Sequence, residues 1–378
     1  MGKEGQTGVI IGITGLLIVG ILLAFILFKI IPNNSSQCSD TDTGINYYEK
    51  GIVSYKTTQE TDSCNGNNLK EWYCKQETKR RYIAEYEIYS CRNGCSNGAC
   101  TPSNGGGNGG GGDNNSGEVK TYSNIQYKSV SGVDSNLLSL DIYTNTAFTN
   151  NPVIIMIHGG LWYTGDKSNN NVINPKKDYY LNKGFVFVSI NYRLTDDANV
   201  HYPDNINDVS DAIKWVNQNI DEYGGNENNL YLMGHSAGAH LASLAVLANF
   251  VSSSYIKGLI LLDSGDYDVL EAYNNAKDRT KQVYETTFSS REDIMKEASP
   301  INHISSGKNL PKFLIFYASD RAEDASPSQS KNFYNKLIDN GYTATLKGVS
   351  GKTHEMMDAD VGKPKDTLTI AIDNFLGV

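Results

Sequence analysis

From residue 118 onward, short apolar runs alternate with amphipathic stretches. The runs LLSLDIYT, PVIIMIHG, GFVFVSINYR, NLYLMGHS, IKGLILLDSG, KFLIFYAS and TATLKGVS read as strands. Most are apolar without a break, the signature of strands covered on both faces rather than wetted on one. Between them, Ile206, Val209, Ile213, Val216 and Ile220 recur at three- and four-residue steps. That spacing predicts a helix over 203–220, with Pro203 in its first turn. A second helix is expected over 329–340, carrying Phe333 and Leu337 on one face. Strands and helices in this alternation predict an α/β domain with a mostly parallel sheet, filling residues 118–378.

The pattern upstream is different. Residues 8–31 carry no charge before Lys29, and that length suits a bilayer-spanning helix of roughly 20 residues. A cleaved signal peptide is the rival, but the apolar stretch is long and no Ala-x-Ala site follows it. The expectation is an uncleaved transmembrane anchor. Beyond it, Cys38, Cys64, Cys74, Cys91, Cys95 and Cys100 make up all the cysteine of the 378-residue chain. An even set crowded into one small module, 38–100, reads as a disulfide framework, which needs an oxidising compartment. Zinc is the alternative, although the spacing lacks the usual Cys-x-x-Cys pairs. Residues 101–117, TPSNGGGNGGGGDNNSG, cannot bury apolar surface and read as a flexible linker. Random-coil scaling gives such a linker a span on the order of 20–25 Å. The N-terminus is then expected on the inner side of the membrane, with the rest of the chain extracytoplasmic.

Composition narrows the classes. A net charge of −9 argues against a nucleic-acid partner. Hydrophobic residues at 39% are ordinary for a globular protein, and the 24 tyrosines show no regular spacing that would make a binding stripe.

The strongest chemical signal is NLYLMGHSAGAHLASLAVL. A strand enters Gly234-His235-Ser236-Ala237-Gly238, and an Ala/Leu-rich helix follows. Gly-x-Ser-x-Gly between those two elements is the nucleophile elbow, whose sharp turn lifts the serine oxygen clear at a helix N-terminus. The plainer reading is a tight turn with a capping serine. A catalytic serine needs a base and an acid that orients it, expected in the chain order Ser, Asp, His. Of the histidines after Ser236, His240 falls inside the following helix and His303 in a loop before the next strand. His354, in the polar loop VSGKTHEMMD after the last strand, is the candidate base. For the acid, Asp320 stands just past the carboxyl end of KFLIFYAS, with Asp324 close behind as the alternative. Asp263, Asp266 and Asp268 follow the preceding strand and read as turn or capping residues.

Together IHGGLWYTGDKS, SINYRL, YPDNINDVSDAIKWVNQNIDEYGGNENNLYLMGHSAGAHLA and ASPINHI resemble the α/β-hydrolase carboxylesterases. They are most similar to the branch with a His-Gly-Gly-x-Trp motif, which includes feruloyl and acetyl-xylan esterase-like and kynurenine formamidase-like enzymes. The resemblance covers nearly all of residues 122–376. It implies an α/β-hydrolase fold with Ser236 as nucleophile, Asp320 as acid and His354 as base. The amides of Gly159, Gly160 and Ala237 would form the oxyanion hole, with His158 shaping their loop and Trp162 packing beneath the pocket. Leu161 departs from the third glycine of many lipase-like relatives, and the spacing after Asp320 is long, which keeps Asp324 open.

The sequence thus predicts a membrane-anchored serine carboxylesterase with no metal or organic cofactor. Its substrate would be a small-molecule or polysaccharide-linked ester, in a pocket built by loops 163–177 and 266–302. A formamidase-like amidase and a non-catalytic surface-binding protein on a hydrolase scaffold are the rivals.

Overall fold

The computed structural model describes residues 38–41, 50–78, 81–91, 94–100, 117–196, 199–320 and 325–378. The apolar stretch 8–31, expected to be an anchor, and Asp324 lie outside the described residues. Among the described residues no helix is long and apolar enough to cross a membrane. The chain divides into two compact units, 1–108 and 109–378.

The first unit is built from short antiparallel strands: β1 (Cys38–Asp40), β2 (Ile52–Tyr55), β3 (Thr58–Thr61), β4 (Ser63–Asn65), β5 (Asn68–Thr78), β6 (Arg81–Ser90), β7 (Cys95–Ser96) and β8 (Ala99–Cys100). They form sheets β1-β2-β3 and β4-β5-β6 and the ribbon β7-β8. Its buried apolar side chains are few, chiefly Val53, Leu69 and Cys91. So small a core needs covalent help. Disulfides Cys38–Cys74 and Cys64–Cys95 tie the outer strands to β5 and to the ribbon. Those four sulfurs are in disulfides, which removes the zinc alternative for them.

The second unit contains β9 (Val119–Gln126), β10 (Ser139–Asn145), β11 (Asn151–Ile157), β12 (Val186–Ile190), β13 (Gly225–His235), β14 (Ile256–Leu262), β15 (Lys312–Ala318) and β16 (Ala344–Val349). They form one eight-stranded sheet in the order β16-β15-β14-β13-β11-β12-β10-β9. All neighbours from β12 to β16 run parallel, and β10 and β9 close one side antiparallel. The helices are α1 (Asn170–Asn182), α2 (Asp204–Asn219), α3 (Ala237–Leu247), α4 (Val269–Asn275), α5 (Asp278–Phe288), α6 (Glu292–Glu297), α7 (Ala325–Asp339), α8 (Met356–Ala359) and α9 (Thr367–Leu376).

The unbroken apolar runs have the predicted cause. Along β11, Val153, Ile155 and Ile157 join a core with Ile206, Val209 and Leu241 from α2 and α3. Ile154 and Met156 face the other way, into a core with Ile173, Tyr180, Leu368 and Ile372 from α1 and α9. Each fully buried side chain of this size contributes about 1.5–3 kcal/mol. Helix α3 is buried at every position, so it has no polar face to reveal its period.

The fold departs from the sequence reading at several elements. β9 was not expected. It is the outermost strand, largely exposed and held by its backbone ladder to β10, so it needs no apolar alternation. α1 occupies much of the segment expected to be a pocket loop. It contains Pro175, and its buried positions include Lys176, which breaks the apolar period. The other expected loop, 266–302, holds the short helices α4, α5 and α6. The helix expected from Pro203 begins at Asp204, just past a cis Tyr202–Pro203 bond.

Candidate active site

Ser236 directly follows β13 and stands at the N-cap position of α3, at φ 52° and ψ −121°. This left-handed backbone is costly for a residue with a Cβ and survives only when its surroundings dictate it. Here they do. The Ser236 amide donates to Leu262 O at 2.9 Å, and Ala239 and His240 amides donate back to Ser236 O. Gly238 lets the elbow close, because a Cβ there would run into the carbonyl oxygens of Ile157 and His158. Backbone crowding thus holds Ser236 at the positive end of α3.

The loop after β11 lies against this turn. A Cβ on Gly159 would meet Ser236 Cβ at 3.1 Å and His235 O at 2.9 Å, so only glycine lets the loop approach the nucleophile so closely. Gly160, Leu161 and Trp162 follow at φ 114°, 53° and 59°, and the amides of Tyr163 and Thr164 close the turn onto Gly160 O. Trp162 anchors it. The indole is fully buried, packs edge-on against Phe288 at 4.9 Å and donates Nε1–H to His240 Nδ1 at 3.2 Å. The amides of Gly160 and Ala237 find no acceptor among the described residues. They remain able to bind an oxyanion.

The other histidines sort by their bonds. His158 donates Nδ1–H to Gly159 O at 2.8 Å and stacks on Tyr192 at 4.4 Å; burial lowers its pKa. It shapes the loop, as expected. His240 accepts from Trp162 and must donate Nε2–H to Ala298 O at 2.8 Å. Burial pushes it down to about 4, against that backbone bond, so it is a neutral packing residue. His303 bonds Glu297 O at 2.6 Å on the surface.

His354 differs. It lies after β16, half-buried, and its Nδ1 meets Asp263 Oδ2 at 2.8 Å. This corrects the acid predicted from sequence. Asp320 is exposed, and its carboxylate is taken up by Ser319 Oγ at 3.1 Å and the Gly351 amide at 2.5 Å. Asp263 is fully buried directly after β14, where Ala318 N at 3.0 Å and Ser326 Oγ at 2.5 Å donate to its other oxygen. Burial would raise its pKa, yet the bonds from His354, Ser326 and Ala318 outweigh that and hold it at about 2. It is a carboxylate at any working pH. Sheet order explains the substitution: β14 neighbours the nucleophile strand β13, and β15 stands one strand further away. The available signal was an aspartate directly abutting the apolar run ILL.

Helices α4, α5 and α6 follow β14 and Asp263 in the chain. Tyr284 of α5 donates its hydroxyl to the buried Asp266, whose pKa burial raises. The same Tyr284 packs on Trp162 at 5.9 Å, joining α5 to the glycine loop. A groove of about 660 Å³ beside His201, Tyr202, Thr287 and Arg291 includes none of Ser236, Asp263 and His354. It is not the catalytic cleft.

A parallel-sheet hydrolase core with an elbow serine, a carboxylate-oriented histidine and free loop amides defines the α/β-hydrolase class. The BD-FAE family model matches residues 140–337, a span that holds the glycine loop, Ser236 and Asp263. The chain belongs to this family of α/β-hydrolase esterases. Among its relatives, Esterase LipQ of Mycobacterium tuberculosis is 28% identical over 239 residues, covering 60% of this chain and 55% of the relative. A probable isoprenylcysteine alpha-carbonyl methylesterase of Arabidopsis thaliana is 29% identical over 238 residues, covering 57% and 48%. The chain spans about half the length of these curated relatives. Among solved structures, esterase B of Lactobacillus rhamnosus superposes with a TM-score of 0.56 at 20% identity, covering 68% of this chain and 85% of that one. That likeness carries the fold alone.

Proposed function

We propose that the protein is a serine carboxylesterase working through Ser236, His354 and Asp263. The observation that carries this reading is the Asp263–His354 bond of 2.8 Å beside an elbow serine held at φ 52°. His354 Nε2 takes the proton of Ser236 as Oγ attacks the ester carbonyl. Asp263 fixes the ring so that Nδ1 carries the other proton, and its charge stabilises the imidazolium that forms. The amides of Ala237 and of the Gly159-Gly160 loop receive the oxyanion, each donor supplying about 3–4 kcal/mol in comparable sites. His354 then returns the proton to the departing alcohol. Water, deprotonated by the same histidine, attacks the acyl-enzyme, and the acid leaves with Ser236 restored.

The names of the relatives support an ester over an amide, and small-molecule or polysaccharide-linked esters fit the reading. The disulfides of the first unit support an oxidising, extracytoplasmic setting. The apolar stretch 8–31 supports attachment to a membrane, with 101–117 as a tether. The decisive experiment is turnover of a panel of p-nitrophenyl esters by the wild type and by Ser236→Ala. Loss of all turnover and of fluorophosphonate labelling in the variant is expected; persistent hydrolysis overturns the mechanism.

A further inference from the structure

His235, the residue beside the nucleophile, has no part in the mechanism above, yet it is 8% exposed and bonded to the base itself. Its Nε2 lies 2.9 Å from the backbone oxygen of His354, across 119 residues of chain. A carbonyl oxygen only accepts, so Nε2 carries a hydrogen. The two rings lie 4.4 Å apart, tilted by 41°. The other nitrogen, Nδ1, is 3.6 Å from Asp358 Oδ2, beyond hydrogen-bond reach.

A carboxylate at that distance would draw a proton onto Nδ1 if its charge were free. It is not free. Asp358 Oδ1 is 2.7 Å from Nζ of Lys176, a fully buried ammonium that also donates to Val172 O at 2.9 Å and Asp358 O at 2.5 Å. With the charge of Asp358 matched by α1, burial is the larger influence on His235 and lowers its pKa, against the pull of Asp358. A second cation so near His354 would oppose the imidazolium that catalysis requires. The neutral ring avoids this and still supplies a donor.

We infer that His235 is a positioning residue, whose Nε2–H clamps the backbone of His354 to the elbow and sets the separation of base and nucleophile. The inference rests on the Ser236–His354 reading. Other ties hold the base loop from its far side: Lys352 bridges Asp360 and Asp366 at 2.6 Å each. The His235 bond links the backbone of the base directly to the turn that carries Ser236. Misplacing a reacting pair by about 1 Å costs on the order of 100-fold.

The test compares His235→Gln, His235→Asn and His235→Leu on a p-nitrophenyl ester, with Ser236→Ala alongside. Glutamine can place an N–H near the position of Nε2. Asparagine is too short, and leucine has no donor. We expect kcat to fall about 10- to 100-fold in the asparagine and leucine variants. KM should stay within about twofold, and glutamine should recover most of the rate. Equal kcat for glutamine and asparagine overturns the inference, as does a loss confined to KM. If the leucine variant fails to fold, the glutamine–asparagine pair decides alone. An inactive Ser236→Ala with all His235 variants at wild-type rate rejects the clamp and leaves the triad standing. An active Ser236→Ala rejects the triad itself.

Discussion

Strands β14 and β15 run parallel, side by side, and each leads into an aspartate: Asp263 directly, Asp320 after Ser319. By local sequence the two ends look interchangeable. In the fold they are opposites. Asp263 is fully buried and receives donors from β15, α7 and the base loop. Asp320 is exposed and bonded to its own neighbour and to Gly351. A carboxylate orients a histidine only if its own oxygens are held, and holding them takes donors from other elements. The difference teaches that an orienting acid is made by its surroundings and by the strand order that puts it beside the nucleophile.

The largest expected effect would break that comparison outright. Asp263→Asn should lower kcat by roughly 1,000- to 10,000-fold, because the amide stabilises the wrong tautomer of His354. Asp320→Asn should stay within about threefold, as a surface change away from the reacting groups. Steady-state kinetics on one ester would check both, and a reversed order would restore Asp320 as the acid. A smaller effect sharpens the role of the glycine loop. Gly159→Ala sets a methyl against Ser236 Cβ and should cut kcat about 100-fold by displacing one oxyanion donor. A folded variant with unchanged kcat would take this loop out of the oxyanion site.

The smallest effect concerns stability and contrasts His240 with Asp263. His240 is depressed from 6.5 to about 4 in the folded protein, so below pH 6.5 the unfolded chain binds the extra proton and stability falls as pH falls. The loss is complete near pH 4 and amounts to about 3 kcal/mol. Asp263, depressed from 3.8 to about 2, contributes stability that is lost only below pH 3.8. Melting curves should therefore show a first decline between pH 6.5 and 4, reduced in a folded His240→Gln variant. A decline of equal size in that variant would remove His240 as its source.

Much of the fold was legible because its determinants are local. Unbroken apolar strands announce a doubly covered sheet, and the spacing from Ile206 to Val216 marks α2. Where a determinant was distant, the reading failed. Helix α1 was hidden because Lys176 sits on its buried face, balanced by Asp358 across 182 residues. Strand β9 was hidden because an edge strand is held by a backbone ladder that any side chain permits.

By itself the sequence determined the α/β-hydrolase frame, the elbow at Ser236, the histidine after the last strand and the glycine loop, since each depends on residues adjacent in the chain. Only the tertiary structure decided which carboxylate bonds His354 and which acceptor His235 meets. The donors to Asp263 come from 55, 63 and 91 residues away. The acceptor for His235 is 119 residues away. Hydrogen bonds of that span exist only after the sheet has brought β13, β14 and β15 side by side, and no local pattern encodes their geometry.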